Sequence, residues 1–169
     1  MPKSSRLSHP HPSHLRLSHF DEAGRASMVD VSAKQSTRRT ATASAFIELS
    51  AAVLAALPAN PKGNPLEVAR IAGIQAAKRT SDLIPMCHPL PLTHVDVQVE
   101  IAKGGVSITA TAATTGPTGV EMEALTAAAV AALTVYDMTK ALDKAIVIRN
   151  VQLEAKTGGK SGDYSRNAV

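Results

Sequence analysis

A chain of 169 residues that is 44% hydrophobic but only 2% aromatic can pack one domain, yet lacks the rings on which single-stranded nucleic acids stack. Its net charge of +4 leaves an anionic small ligand open, its one cysteine excludes an internal disulfide, and no apolar run approaches the roughly 20 residues of a membrane span. Alanine supplies much of the apolar content and buries little area per side chain, so a lone monomer is expected to have a thin core that an oligomer would supplement.

The first twenty or so residues hold four of the six histidines (His9, His11, His14, His19) among Ser, Pro and Arg. His9-Pro10-His11-Pro12 cannot be helical, and a disordered His/Pro/Ser-rich extension outweighs a metal site. Residues 1–16 are assigned to that extension, 17–164 to a single domain, and 165–169 to a flexible C-terminus. No positive-then-apolar leader is present and a single thiol suits a reducing compartment, so a cytoplasmic location is expected.

From Arg39 to Ser50, Thr and apolar residues alternate as in a strand, and Ser50 to Leu57 reads as a short helix. A breaker-rich loop from Pro58 to Pro65 follows, with Asn64 as N-cap, Pro65 at the first helical position and Glu67 in the first turn. That helix is expected to run to about Thr80 with Leu66, Ala69, Ile71, Ala72 and Ile74 facing inward. Val95, Val97, Val99 and Ile101 alternate with polar residues on the next strand, Lys103-Gly104-Gly105 makes a hairpin turn, and Val106 to Ala112 continue the pattern. Past Gly116-Pro117-Thr118-Gly119, a long helix from about Val120 to Leu142 is expected to bury Met122, Leu125, Ala129, Ala132, Leu133 and Tyr136. A last strand, Ala145 to Ala155, precedes a Gly-rich tail. The order β-α-β-β-α-β predicts an α+β, ferredoxin-like fold, an antiparallel sheet with both long helices on one face. The opposite face would then need a cover, for instance a second subunit.

Three constellations stand out. Met86-Cys87-His88 lies between Pro85 and Pro89, whose fixed φ angles stiffen the corner. A lone cysteine makes zinc improbable and adjacent residues diverge, so His88 is favoured as a hydrogen-bonding or proton-transfer group, with Cys87 packed beside it. Asp137 and Lys140, three apart, end a helix whose run from Ala124 to Tyr136 carries no charge; a surface ion pair and a tuned acid/base pair fit about equally. Glu121 and Glu123 open the same helix, where the helix dipole alone would favour them. Fourteen residues separate Glu123 from Asp137, about 21 Å of helix, so one pocket using both must draw on two subunits. Lys156-Thr157-Gly158-Gly159-Lys160-Ser161-Gly162 fails the phosphate-loop pattern, since Glu154 stands where its first Gly belongs. It is either a basic segment that folds over an anion or a frayed end. Lys34, Arg39, Lys62, Lys78 and Arg79 add cations that suit a triphosphate if they converge.

Five segments in order, Met28–Lys34, Arg70–Pro89, Thr118–Thr126, Tyr136–Lys140 and Ala155–Asp163, are similar to those of the cyclic pyranopterin monophosphate synthases of molybdenum cofactor biosynthesis. The resemblance implies a homohexamer of three dimers with its site at the dimer interface. The implied reaction converts a 3′,8-cyclised 7,8-dihydro-GTP to cyclic pyranopterin monophosphate and pyrophosphate. It implies Asp137 and Lys140 as the acid/base pair, and Lys62 as a further catalytic or phosphate-side lysine. Met86, Cys87, His88, Met122 and Glu123 would line the substrate site, with Lys34, Arg39, Lys78, Lys156 and Lys160 at the triphosphate. No cofactor or protein-bound metal is implied, and Mg²⁺ would come only with the triphosphate. The competing class is a non-catalytic nucleotide-binding regulatory domain, against which a proton-transfer pair counts. A nucleic-acid-binding sheet is undercut by the missing aromatics.

Overall fold

The alternating segments form one five-stranded antiparallel sheet in the computed structural model, which describes His19 and residues 23–166. The strands are β1 (Thr37–Glu48), β2 (Leu92–Ala102), β3 (Gly105–Gly116), β4 (Val147–Thr157) and the two-residue β5 (Tyr164–Ser165). The helices are α1 (Ala51–Ala56), α2 (Pro65–Lys78), α3 (Thr80–Leu83) and α4 (Glu121–Thr139). Sheet order is β2-β3-β1-β4-β5. With the short α1, α3 and β5 set aside, the chain follows the expected β-α-β-β-α-β order and the class is α+β. The extension at residues 1–16 lies outside the described residues.

Local signals act where expected. Asn64 Oδ1 accepts from the amides of Leu66 at 3.0 Å and Glu67 at 3.4 Å, capping α2 behind Pro65. Ser50 Oγ caps α1 through the Val53 amide. The β2–β3 hairpin turns on Gly104 at φ +80°, a conformation that favours glycine.

Alternation along β1 turns Ala41, Ala43, Ala45 and Ile47 toward the helices, opposite Ala112, Ala110, Ile108 and Val106 of β3. Against this surface α4 sets Ala124, Ala127, Ala128, Ala131, Ala132 and Val135, all fully buried. Alanine on both sides lets helix and sheet approach closely, so dispersion contacts replace the bulk that the sequence lacks. α2 lies beside α4 and over β2, and Gly73 packs closely against both. A Cβ there would stand 2.9 Å from the Ala127 carbonyl oxygen and 3.2 Å from both Val97 methyls.

Three residues expected inside face out: Ile71, Met122 and Leu133 are exposed. The buried edge of α2 is Pro65, Ala69, Gly73, Ala76 and Ala77, a row of small residues that leaves the larger Ile71 on the far side. On α4 the run of uncharged residues carries no phase, so its buried arc could not be read from polarity. The helix also stops at Thr139, three residues short of the expected end, with Thr139 Oγ1 bonded back to the Val135 carbonyl.

The second face of the sheet is mostly polar. Thr40 and Thr157 share a hydrogen bond at 2.7 Å, Thr42 and Thr111 one at 3.0 Å, and Ser44 donates to Glu154. Glu48 pairs with Arg149 at the end of that face. Such a face can meet water directly, so the expected need for a cover is not a need to bury apolar surface. Among the described residues, no helix is long and apolar enough to cross a membrane.

Candidate active site

The candidate residues gather at the two ends of α4. At its N-terminal end, the corner after α3 is held by the Ile84 amide on the Thr80 carbonyl at 2.9 Å and the Cys87 amide on the Ile84 carbonyl at 3.0 Å. His88 Nε2 lies 2.8 Å from the Val29 carbonyl. A carbonyl only accepts, so Nε2 carries a hydrogen and donates it. The contact pins the corner to the segment that precedes Lys34. Met86, Cys87 and His88 line one wall of a cleft of about 310 Å³, and Glu121, Met122 and Glu123 line another. Lys34, Thr118 and Gly119 close one end.

His19, which the sequence groups with the other N-terminal histidines but beyond the 1–16 extension, lines the same cleft. Nothing in its neighbourhood of Ser, His and Pro signals that destination.

Glu123 is 4% exposed. Burial pushes its carboxyl pKa up; its own amide hydrogen bond opposes this, and the charge of Glu121 adds to the rise. Burial, with the Glu123 charge, likewise pushes the Cys87 thiol up. A thiol so held stays protonated, which fits a packed side chain better than a nucleophile. A carboxyl raised in the folded state binds a proton that the unfolded chain has already lost, so Glu123 costs stability as pH climbs above the ordinary value of 4.5. Glu123→Gln should therefore melt above the parent at pH 7 and lose that advantage below pH 4.5, a difference that thermal scans at several pH values will show.

A second chamber of about 910 Å³ adjoins the first and shares Lys34, Thr118, Gly119 and Glu121 with it. Its cations are Lys34, Arg39, Lys156 and Lys160, with Glu121 as the opposing charge. Sheet register brings them together: Thr37 pairs with Gly116, and Thr40 with Thr157, so the entry to β1 lies beside the exits of β3 and β4. Arg39 Nε donates to the Gly116 carbonyl at 3.0 Å. Gly158 and Gly159 sit at φ +82° and +89°, and a Cβ on Gly159 would collide with the Arg39 guanidinium. Lys156 Nζ reaches Glu121 Oε1 at 2.9 Å and Ser161 Oγ at 3.2 Å.

The Gly/Lys segment is a hairpin loop and not a frayed end. Asp163 Oδ1 accepts from the Gly158 amide at 3.0 Å, β5 pairs with β4, and Arg166 donates to the Leu153 carbonyl at 2.9 Å. Thr37, whose hydroxyl is buried without a hydrogen-bond partner, also lines this chamber, and the sequence gives no sign of it.

At the other end of α4, Asn60 Nδ2 donates to the Met138 carbonyl at 2.9 Å and anchors the breaker-rich loop. Lys62 Nζ then reaches the Asp137 carbonyl at 3.3 Å, and Lys140 Nζ lies 2.5 Å from Asp137 Oδ1. The Lys140 and Asp137 side chains are 52% and 59% exposed. Hydrogen bonding and charge from Lys140 hold the Asp137 carboxyl low, with a smaller contribution from Lys62. Asp137 in turn holds the Lys140 ammonium high. Within one chain this is a solvated ion pair on the exposed side of the last turn, while Met138 and Thr139 beside it are buried. Unbroken helix keeps it about 21 Å from Glu123. Lys78 joins neither group; it lines a separate groove with Ile74, Leu90 and His94.

Comparison with known proteins was made against this geometry. The sequence profile of the MoaC family matches residues 28–159. A cyclic pyranopterin monophosphate synthase of Streptomyces griseus is 58% identical over 155 residues, covering 90% of this chain and 88% of the relative. Proteins of the same name from Deinococcus radiodurans and Staphylococcus haemolyticus are 55% and 54% identical. They cover 94% and 89% of this chain, and 95% and 99% of their own lengths.

Proposed function

The chain belongs to the MoaC family, and on that premise we propose that it is a cyclic pyranopterin monophosphate synthase of molybdenum cofactor biosynthesis. Its substrate is 3′,8-cyclised 7,8-dihydro-GTP, and its products are cyclic pyranopterin monophosphate and pyrophosphate. One observation carries the reading: a cleft with thiol, imidazole and carboxyl groups opens into a chamber with four cations. A purine-derived ring system suits the first and a triphosphate the second. Lys34, Arg39, Lys156 and Lys160 hold the phosphates, while Met86, Cys87, His88, Met122 and Glu123 surround the rings.

Rebuilding a pterin needs ring opening, imine and carbonyl steps and several proton transfers, with no net redox change. Lys140, Asp137 and Lys62 of a second subunit supply those protons. Exposure of the pair in one chain agrees with this reading. A partner laid over it removes the water that stabilises the ammonium, which moves the lysine toward proton exchange near neutral pH. In the closing step a sugar-derived hydroxyl attacks the α-phosphorus and gives up its proton. A P–O ester bond forms, and the bond to pyrophosphate breaks. Cations in the basic chamber stabilise the charge that develops on the leaving group.

The proposed assembly is a homohexamer of three dimers in the cytoplasm. It has no resident cofactor, and any Mg²⁺ arrives on the triphosphate. Lys78, in its separate groove, would reach phosphate only through a rearrangement or a neighbouring subunit. A non-catalytic regulatory domain is disfavoured, because binding alone gives no role to an Asp–Lys pair at the far end of α4. Purified protein incubated with the cyclised dihydro-GTP should release one pyrophosphate per pterin formed. Absence of release with intact substrate would refute the assignment.

A further inference from the structure

We propose that Glu121 is a built-in competitor for the phosphate chain, holding Lys156 until an anion in the basic chamber takes over that ammonium. The inference rests on reading that chamber as the triphosphate end of the site. Glu121 lies on the wall common to both chambers, and Lys156 belongs to the basic one alone. The Lys156–Glu121 contact is 2.9 Å long, with the two side chains only 23% and 30% exposed. Water therefore screens it less than a fully solvated pair. The carboxylate is also folded back over its own entry loop: a Cβ on Gly119 would overlap it, so glycine at 119 makes this rotamer possible.

Lys156 has three N–H donors. One serves Glu121 and one Ser161. A phosphate group entering beside Lys34, Arg39 and Lys160 brings more charge and more acceptor oxygens than the carboxylate offers. It also sets like charges together in a partly desolvated space. The exchange that relieves this repulsion moves Lys156 onto the phosphate and turns Glu121 toward the first chamber, which it already lines. When pyrophosphate leaves, the carboxylate recaptures the ammonium, so the same contact that delays anion entry favours product departure.

Calorimetric titration with pyrophosphate, on the wild type, Glu121→Gln, Lys156→Met and the double variant, tests the exchange. If Glu121 competes for Lys156, Glu121→Gln tightens pyrophosphate about tenfold in the wild-type background. It changes affinity less than about twofold once Lys156 is methionine, since coupled residues show non-additive effects. Lys156→Met alone weakens binding. An equal factor in both backgrounds would overturn the proposal, because Glu121 would then act only as a like charge across the chamber. So would unchanged affinity in Glu121→Gln. Failure of the wild type to bind pyrophosphate at all would instead remove the phosphate reading of the chamber on which the proposal stands.

Discussion

Co-expressed Lys140→Ala and His88→Ala chains, each inactive when alone, are expected to form oligomers with about one quarter of wild-type turnover. The figure follows from the placement of the two half-sites. His88 lines the cleft at the N-terminal end of α4 with Glu123, and Lys140 follows its C-terminal end; continuous helix sets Glu123 and Asp137 about 21 Å apart. If each site takes one end from each of two chains, a mixed dimer has one site with both defects and one with neither. Random pairing makes half the dimers mixed, and half the sites in each are intact. Pyrophosphate release from the co-purified mixture measures the recovery. Activity no higher than that of the parent variants would show that one chain supplies both residues of each site.

Alanine at Lys140 or Asp137 should lower kcat by about 10³-fold or more while the protein keeps its fold and assembly. General acid–base groups contribute on that scale when they act in the transition state. The structural cost is small, because both side chains are largely exposed and solvated ion pairs contribute little to stability. Melting temperature is expected to move by no more than about 2 °C. A catalytic loss of this size beside an unchanged melting curve separates a chemical role from a structural one. Near-normal turnover in either variant would leave Asp137 and Lys140 as the surface pair they are within one chain. His88→Ala and Lys140→Ala should also differ in kind. On the proposed mechanism the first removes a group that lines the substrate cleft, and the second a proton donor that substrate binding does not require.

The strands were legible because β1, β2 and β3 alternate cleanly, and the start of α2 because Asn64, Pro65 and Glu67 form an N-terminal signature with one geometry. The α4 phase was not legible. Alanine is equally at home inside and outside, so a helix without charge from Ala124 to Tyr136 does not announce which arc meets the sheet. Ile71 misled for the complementary reason: at a contact as close as that of Gly73 with Ala127, a large side chain is excluded and the small ones are the buried ones. β5 is too short to show a period.

For the site, two charged groups at opposite ends of one apolar helix could be read directly, and so could the condition that one pocket using both must draw on two chains. The merger of Lys34, Thr118 and Lys156 into one basic chamber was not legible from spacing or periodicity, and only the resemblance implied that the two lysines meet. It depends on long-range pairings such as Thr37 with Gly116 and Thr40 with Thr157. His19 and Thr37 escaped because their roles come from where the chain passes and not from what surrounds them in sequence.

The alanine bed beneath α4 makes that helix a measuring rod. One residue added within the rod turns everything beyond it by roughly 100° and shifts it by about 1.5 Å. Such a change would swing the Asp137–Lys140 pair to another side of the helix, and it would also misalign the methyl groups that seat the rod on the sheet. The span between the two ends of α4 is therefore quantised by the helical repeat.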